Sequence, residues 1–325
     1  MPPPQLVETA CRTLLNRVRG PLPFRWSANP YRGCQHDCAY CFARSSYALL
    51  GYDPSADFAG LVEVKVNAPE ALHRDLSRRS WRRELIAVGT ACDPYQPAEL
   101  HYRLTRRCLA VLVRHANPTS IVTKSPFILR DRDILQELGR QAPLTVNFSV
   151  SFLDRDRWRR IEPSTAPPWK RLGALEQLAK AGVRAGVLMA PVMPGINDDP
   201  ATLEQVVRAA RDHGASFVAA NALFLQPATR QAFFDALAIH YPHLLPLYAR
   251  LYDHAYAPPR YRAQVQREID ELKRRFALDD RWTEDDRSQP GQLRLPGLLA
   301  AVAHRPPTLP ARPPDAALAS AFCPA

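Results

Sequence analysis

The chain has 325 residues, enough at ~150 residues per domain for one large domain or two ordinary ones, and its 46% hydrophobic and 23% charged residues are those of a soluble globular protein, which excludes disordered, collagen-like and coiled-coil states. Lys and Arg number 43 against 32 Asp and Glu, a formal charge of +11 that favours a polyanionic partner such as nucleic acid. No stretch approaches the ~20 consecutive apolar residues of a membrane span, and the N-terminus lacks the layout of a secretory signal, so a cytoplasmic protein with no membrane partner is expected.

Residues 1–24 are Pro-rich and read as an irregular peripheral arm with a short amphipathic stretch at Leu14, Leu15 and Val18. Over residues 25–228 short apolar runs alternate with segments of helical period, the pattern of βα units around a parallel sheet. The runs predict strands at Leu61 to Val66, Leu85 to Gly89, Ser120 to Thr123, Leu144 to Val150, Arg184 to Met189 and Phe217 to Leu223. Helices are expected near Pro69 to Arg79, Glu99 to Arg114, Asp131 to Arg140, Lys170 to Ala181 and Ala201 to His213. Residues 229–280 read as a helical extension, whose segment Tyr261 to Phe276 spaces Val265, Ile269, Leu272 and Phe276 for docking one face. Residues 281–325 carry eight prolines and little that could form a core, the composition of a flexible tail.

Seven cysteines in a chain with no export signal are not a disulfide framework, and Cys34, Cys38 and Cys41 lie within eight residues of one another. Spacings of three and then two residues let three thiolates converge on a polynuclear iron site, and no fourth cysteine stands nearby. Three protein ligands leave one iron open, as in reactive rather than closed metal centres. Soft thiolates argue against magnesium or calcium. The bland alternatives are a structural zinc site completed by His36 or a distant cysteine, or an electron-transfer cluster.

The pattern Cys34-x3-Cys38-x-Tyr40-Cys41, placed early and followed by βα units, resembles the radical SAM superfamily. The resemblance implies a partial (β/α)6 barrel, an α/β fold, carrying a [4Fe-4S] cluster on the three cysteines. It also implies that S-adenosylmethionine binds the open iron and is reductively cleaved to a 5'-deoxyadenosyl radical. Further segments are similar to the spore photoproduct lyase-like branch: Gly89 to Glu99, Val122 to Ser125, Asn147 to Ser151, Glu162 to Thr165 with Arg171, and Ala190 to Asp198. Each lies at or just beyond a predicted strand end, the edge where α/β barrels bind ligands.

Roles follow from the groups that S-adenosylmethionine presents. Lys124, one of five lysines, suits its carboxylate. Asp93, with Ser149 as a hydroxyl partner, suits the ribose diol, and Tyr40 suits adenine. Ser151, Glu162 and Asn197 complete the candidate cofactor set. The ordinary alternatives are a turn at Asp93-Pro94, strand-filling serines and a Glu162–Arg171 salt bridge. In the lyase a cysteine three residues before the aspartate returns a hydrogen atom to the product; here Thr90 stands there, and alternation would let Cys92 face the same cavity as the catalytic donor. The lyase tyrosine after the third cysteine is Phe42 here.

Arg74 to Arg83 with Trp81, and Arg155 to Arg160 with Trp158 and Trp169, mix guanidinium groups with stacking faces as a nucleic acid requires; the alternative is anchoring tryptophans and paired arginines. The whole implies a radical SAM enzyme that abstracts hydrogen from an unidentified substrate, with DNA or RNA as the candidate, lesion-lyase or base-modifying chemistry as the class, and flavodoxin or ferredoxin as electron donor. The alternative is a non-catalytic iron-sulfur or zinc nucleic-acid-binding protein.

Overall fold

The computed structural model describes residues 4–18, 22–48, 51–54 and 57–278. The tail expected over 281–325 lies outside the described residues. Among the described residues ten strands run in chain order: β1 (Gln5–Thr9), β2 (Leu15–Arg17), β3 (Trp26–Ala28), β4 (Tyr31–Arg32), β5 (Leu61–Lys65), β6 (Ile86–Val88), β7 (Thr119–Thr123), β8 (Leu144–Ser149), β9 (Ala185–Val192) and β10 (Phe217–Ala222). The main sheet has the order β10-β9-β8-β7-β6-β3-β2. Its six strands from β3 to β10 pair in parallel, and β2 closes one edge antiparallel to β3. The architecture is a six-stranded parallel α/β wall, as expected, with one strand exchanged.

That exchange is a correction. The run at Leu61 forms β5, but β5 belongs to a separate three-stranded sheet, β1-β5-β4. The first wall strand is instead β3, only three residues long and too short to show a period. The N-terminal arm also differs from the irregular segment expected: it supplies β1 and β2, and Leu14 and Leu15 are buried in the main core.

Alternation along each strand separates two environments. From β8, Val146 and Phe148 turn outward into the apolar layer that holds Leu109, Leu135, Leu175 and Val206 of the surrounding helices. Thr145, Asn147 and Ser149 take the opposite, inner face, where Ser120 Oγ accepts hydrogen bonds from Thr145 Oγ1 and Asn147 Nδ2, each 3.0 Å. Helix starts are capped locally: Asp154 accepts from Arg157 N and Asp199 from Thr202 N. Helix Pro259–Arg275 buries Val265 and Ile269 in the main core, with Leu272 and Phe276 packed at its margin. Helices Pro227–His240 and Leu245–Leu251 build a second apolar group, in which Phe233, Tyr248 and Tyr252 join Cys38 and Tyr40. Among the described residues no helix is long and apolar enough to cross a membrane.

Candidate active site

The cysteine loop leaves β4 through Gly33, whose φ of +87° and close approach to the Leu61 carbonyl and the Tyr47 hydroxyl exclude a side chain. Cys34 N then donates to Phe58 O at 2.9 Å. The loop is held from outside by groups that the sequence pattern did not reveal. Arg44 is buried and donates to the Cys38 carbonyl at 3.3 Å, to Asp37 Oδ1 at 2.5 Å and to Pro54 O at 2.8 Å. Gln35 and Gln96 lock the loop to the segment after β6: Gln35 N donates to Gln96 Oε1 at 3.0 Å, Gln96 Nε2 to Gly33 O at 3.1 Å, and Ala98 N to Gln35 Oε1 at 2.7 Å. Such pairings are 61 to 63 residues apart in the chain and have no local signature.

Cys34, Cys38 and Cys41 are free thiols, the first two buried. Burial pushes all three thiols up, Cys38 to about 12, while Lys124 pulls Cys38 and Cys41 the other way. A buried thiol gives up its proton when a metal shares the charge, so the donors suit soft iron or zinc. Among the described residues no three His, Cys, Asp or Glu side chains converge closely enough for a single metal ion. His36 is not placed as a ligand: its Nδ1 lies 3.2 Å from Asp93 Oδ2, an ion-pair contact off the line of a hydrogen bond.

Asp93 lies in the turn after β6, where Gly89 (φ +87°) is pressed against the Val122 carbonyl and the Pro94 ring. Its carboxylate accepts from Tyr95 N at 2.9 Å, Thr123 Oγ1 at 2.7 Å and Lys124 N at 2.7 Å, and stands in ion-pair contact with His36. Burial works to raise its pKa, but His36 and these hydrogen bonds hold it down at about 2. Three hydrogen bonds and the His36 contact therefore make Asp93 an anchor for Lys124 and the cysteine loop.

Lys124 is half-buried, and its Nζ stands 5.5 Å from the centre of the Tyr40 ring. Burial opposes its charge, yet Cys38 and Glu162 keep its pKa above the ordinary lysine value. Among the described residues no hydrogen bond or ion pair holds the ammonium. Tyr40 donates its hydroxyl to Glu162, and Glu162 Oε2 pairs with Arg171 Nη2 at 2.5 Å. The ordinary alternative for Glu162 is therefore the arrangement found.

Ser149 Oγ donates to Ala190 O at 3.3 Å, whereas Ser151 Oγ is buried with no partner among the described residues. Asn197 bonds to backbone: Nδ2 donates to Ser151 O at 2.7 Å and Pro191 O at 3.1 Å, and Oδ1 accepts from Met193 N at 2.6 Å. With both amide hydrogens engaged it pins the β9 turn. Cys92 also departs from expectation. The alternation ends with β6 at Val88, and the thiol turns into the apolar group of Tyr31, Cys34, Val64 and Leu104, donating to Tyr31 O at 3.3 Å. As a hydrogen donor it would have to leave that pocket.

The two basic stretches part company. Arg74 to Arg83 precedes β6, at the end of the wall away from the cysteine loop, and Trp81 is an anchor there, donating to Asn117 Oδ1 at 2.8 Å. Helix Arg155–Ile161 follows β8 at the site edge, where Ala39 N donates to Ile161 O at 3.4 Å. On it Arg155 lies over the exposed Trp169 ring at 5.3 Å. A hollow of about 410 Å³ lined by Arg103, Arg106, Arg130 and Arg132 lies elsewhere, its charge offset by Asp133 and by Asp131 and Glu99 behind it.

Cysteine loop, lone ammonium and orphaned hydroxyl thus share one edge of a parallel wall, and known proteins carry the same arrangement of strands. A spore photoproduct lyase mutant superposes with a TM-score of 0.64 at 16% identity, over 83% of this chain and 79% of its own. An uncharacterized protein of Mycobacterium tuberculosis is 37% identical over 274 residues, 83% of this chain and 81% of its own length. The radical SAM Nalpha-GlyT isomerase of Pseudomonas phage M6 is 25% identical over 169 residues, 51% of this chain and 33% of the isomerase. A family model described as the radical SAM superfamily matches residues 28–208, from the end of β3 through the cysteine loop and into the helix after β9. That match covers more than half of the chain, which therefore belongs to the radical SAM superfamily.

Proposed function

We propose that this chain is an enzyme that cleaves S-adenosylmethionine reductively at a [4Fe-4S] cluster held by Cys34, Cys38 and Cys41, and that a nucleic acid is its substrate. The observation that carries the reading is a loop of three unbridged thiols, two of them buried, together with a Lys124 ammonium that meets the Tyr40 ring and has no hydrogen bond or ion pair among the described residues. A cluster held by these three thiolates would supply one-electron reduction of the S-adenosylmethionine sulfonium, and with it the radical chemistry proposed for the substrate.

The residues of the chain bind and orient. Lys124 meets the cofactor carboxylate, a charge-assisted contact favoured because its ammonium is held out of bulk water. Tyr40 offers a flat face to adenine. Ser151 supplies a buried hydroxyl without a partner among the described residues, and Asp93 fixes the backbone of Lys124 against the cysteine loop. The nucleic-acid part of the reading is supported by Arg155 and Trp169 on the site edge, and by a spore photoproduct lyase structure of the same fold with S-adenosylmethionine and a dinucleoside photoproduct bound. Lyase-like cleavage of a lesion is the reaction class proposed.

The test is anaerobic. Protein reconstituted with iron and sulfide is reduced with dithionite, given S-adenosylmethionine, and assayed for 5'-deoxyadenosine by mass spectrometry, with and without damaged DNA or bulk RNA. Wild type forms it, Cys38→Ala does not, and one nucleic acid raises the yield. A fully loaded cluster that yields none under any condition would leave a binding protein as the better reading.

A further inference from the structure

Tyr40, Glu162 and Arg171 form a buried chain that the cofactor pocket does not by itself explain. Arg171 is completely enclosed and Glu162 nearly so, at 0% and 1% side-chain exposure. Arg171 spends its donors on Ala166 O (2.7 Å), Ser149 O (2.7 Å), Thr165 Oγ1 (2.5 Å) and Glu162 Oε2 (2.5 Å). Glu162 turns its other oxygen to the Tyr40 hydroxyl. The ring between Cys38 and Cys41 is thereby tied through two side chains to the end of β8 and to helix Pro168–Lys180. A buried ion pair is a poor way to add stability, because desolvation offsets its attraction. What it adds is a fixed point.

Resting on the S-adenosylmethionine reading above, we propose that Glu162 and Arg171 are positioning residues that brace the Tyr40 ring as a wall of the cofactor pocket before the cofactor arrives. A free tyrosine would lose rotamer freedom on binding; a braced one has already lost it, so the brace appears as cofactor affinity. Glu162 itself touches no cofactor in this arrangement, since Arg171, Thr165 and Tyr40 surround its carboxylate.

The experiment is a double-mutant cycle on holoprotein with Tyr40→Phe, Glu162→Gln and the pair together, matched for iron content and circular dichroism. Equilibrium dialysis with labelled S-adenosylmethionine, without reductant, reads the affinity. Each single change weakens binding by about tenfold, the scale of one hydrogen bond to a charged group, and the double by about tenfold as well, because Gln keeps its one oxygen for Arg171 and both changes thereby remove the same charge-assisted contact. Singles that bind as wild type, or a double that multiplies to about a hundredfold, overturn the brace. Arg171→Lys, which keeps the charge and loses the fork, serves if Glu162→Gln does not fold, with the same loss expected. Should loaded wild type bind no S-adenosylmethionine, the functional reading falls, and the brace is judged on the reduced cluster alone. Its electron paramagnetic resonance lines then shift alike in Tyr40→Phe and Glu162→Gln, and unshifted lines overturn it.

Discussion

Lys124 shows how a single side chain gains a task from what surrounds it. Its ammonium feels the charge of Cys38, Cys41 and Glu162, faces the Tyr40 ring and is bonded to nothing among the described residues. A charge kept in that state is ready for an anion. Lys124→Ala is expected to weaken S-adenosylmethionine binding by roughly 10- to 100-fold, about 1.5–3 kcal/mol for a hydrogen bond to a charged group, with cluster iron unchanged by assay. Binding at wild-type strength would remove Lys124 from the pocket. Asp93 and Asn197 teach the converse. Both are polar residues beside the site, yet the hydrogen bonds they make within the protein hold the loops still.

Between elements, the contact of His73 with His115 ties helix Ala68–Leu76 to the end of helix Leu104–Arg114 through Nδ1 and Nε2 at 2.9 Å. Burial lowers the pKa of His115 below the usual histidine value, helped by His73, Arg114 and Arg83. The unfolded chain therefore takes up a proton here before the folded one does, so this stabilisation is complete above ~6.5 and is lost as pH falls toward the lowered value. Thermal melts at pH 7.5 and 5.5 should show a fall in Tm on acidification that is smaller in His115→Gln; equal falls would discount the pair.

The same scale shows what the sequence could reveal. Five wall strands are long or apolar enough to show their period, whereas β3 has three residues and β5 has strand character but pairs elsewhere. A periodic pattern identifies an element, not its neighbour. The cysteine loop was legible because its spacing is local. The groups that hold it, Arg44, Gln96, Glu162 and Arg171, were not legible as a set, since they meet only through pairings as distant as the 122 residues between Tyr40 and Glu162.

Over the whole molecule the charge of +11 belongs to the sequence, but its placement gives it meaning. The basic helix Arg155–Ile161 stands at the site edge, while the stretch around Trp81 stands at the other. If roughly four phosphates are neutralised there, affinity for bulk double-stranded DNA should fall about a hundredfold between 50 and 200 mM salt, read by filter binding. Paired substitution Arg155→Glu and Arg159→Glu should flatten that slope, and a slope unchanged by it would move the contact elsewhere. One further contact concerns how the protein is made. Thr229 donates to the Cys41 carbonyl at 3.1 Å across 188 residues, and Phe233, Tyr248 and Tyr252 pack on Cys38 and Tyr40. The loop that leaves the ribosome early is thus covered by helices that leave it late. At ordinary rates of synthesis its thiols stand open for roughly 10 to 40 s, an interval in which the nascent chain exposes them to oxidation.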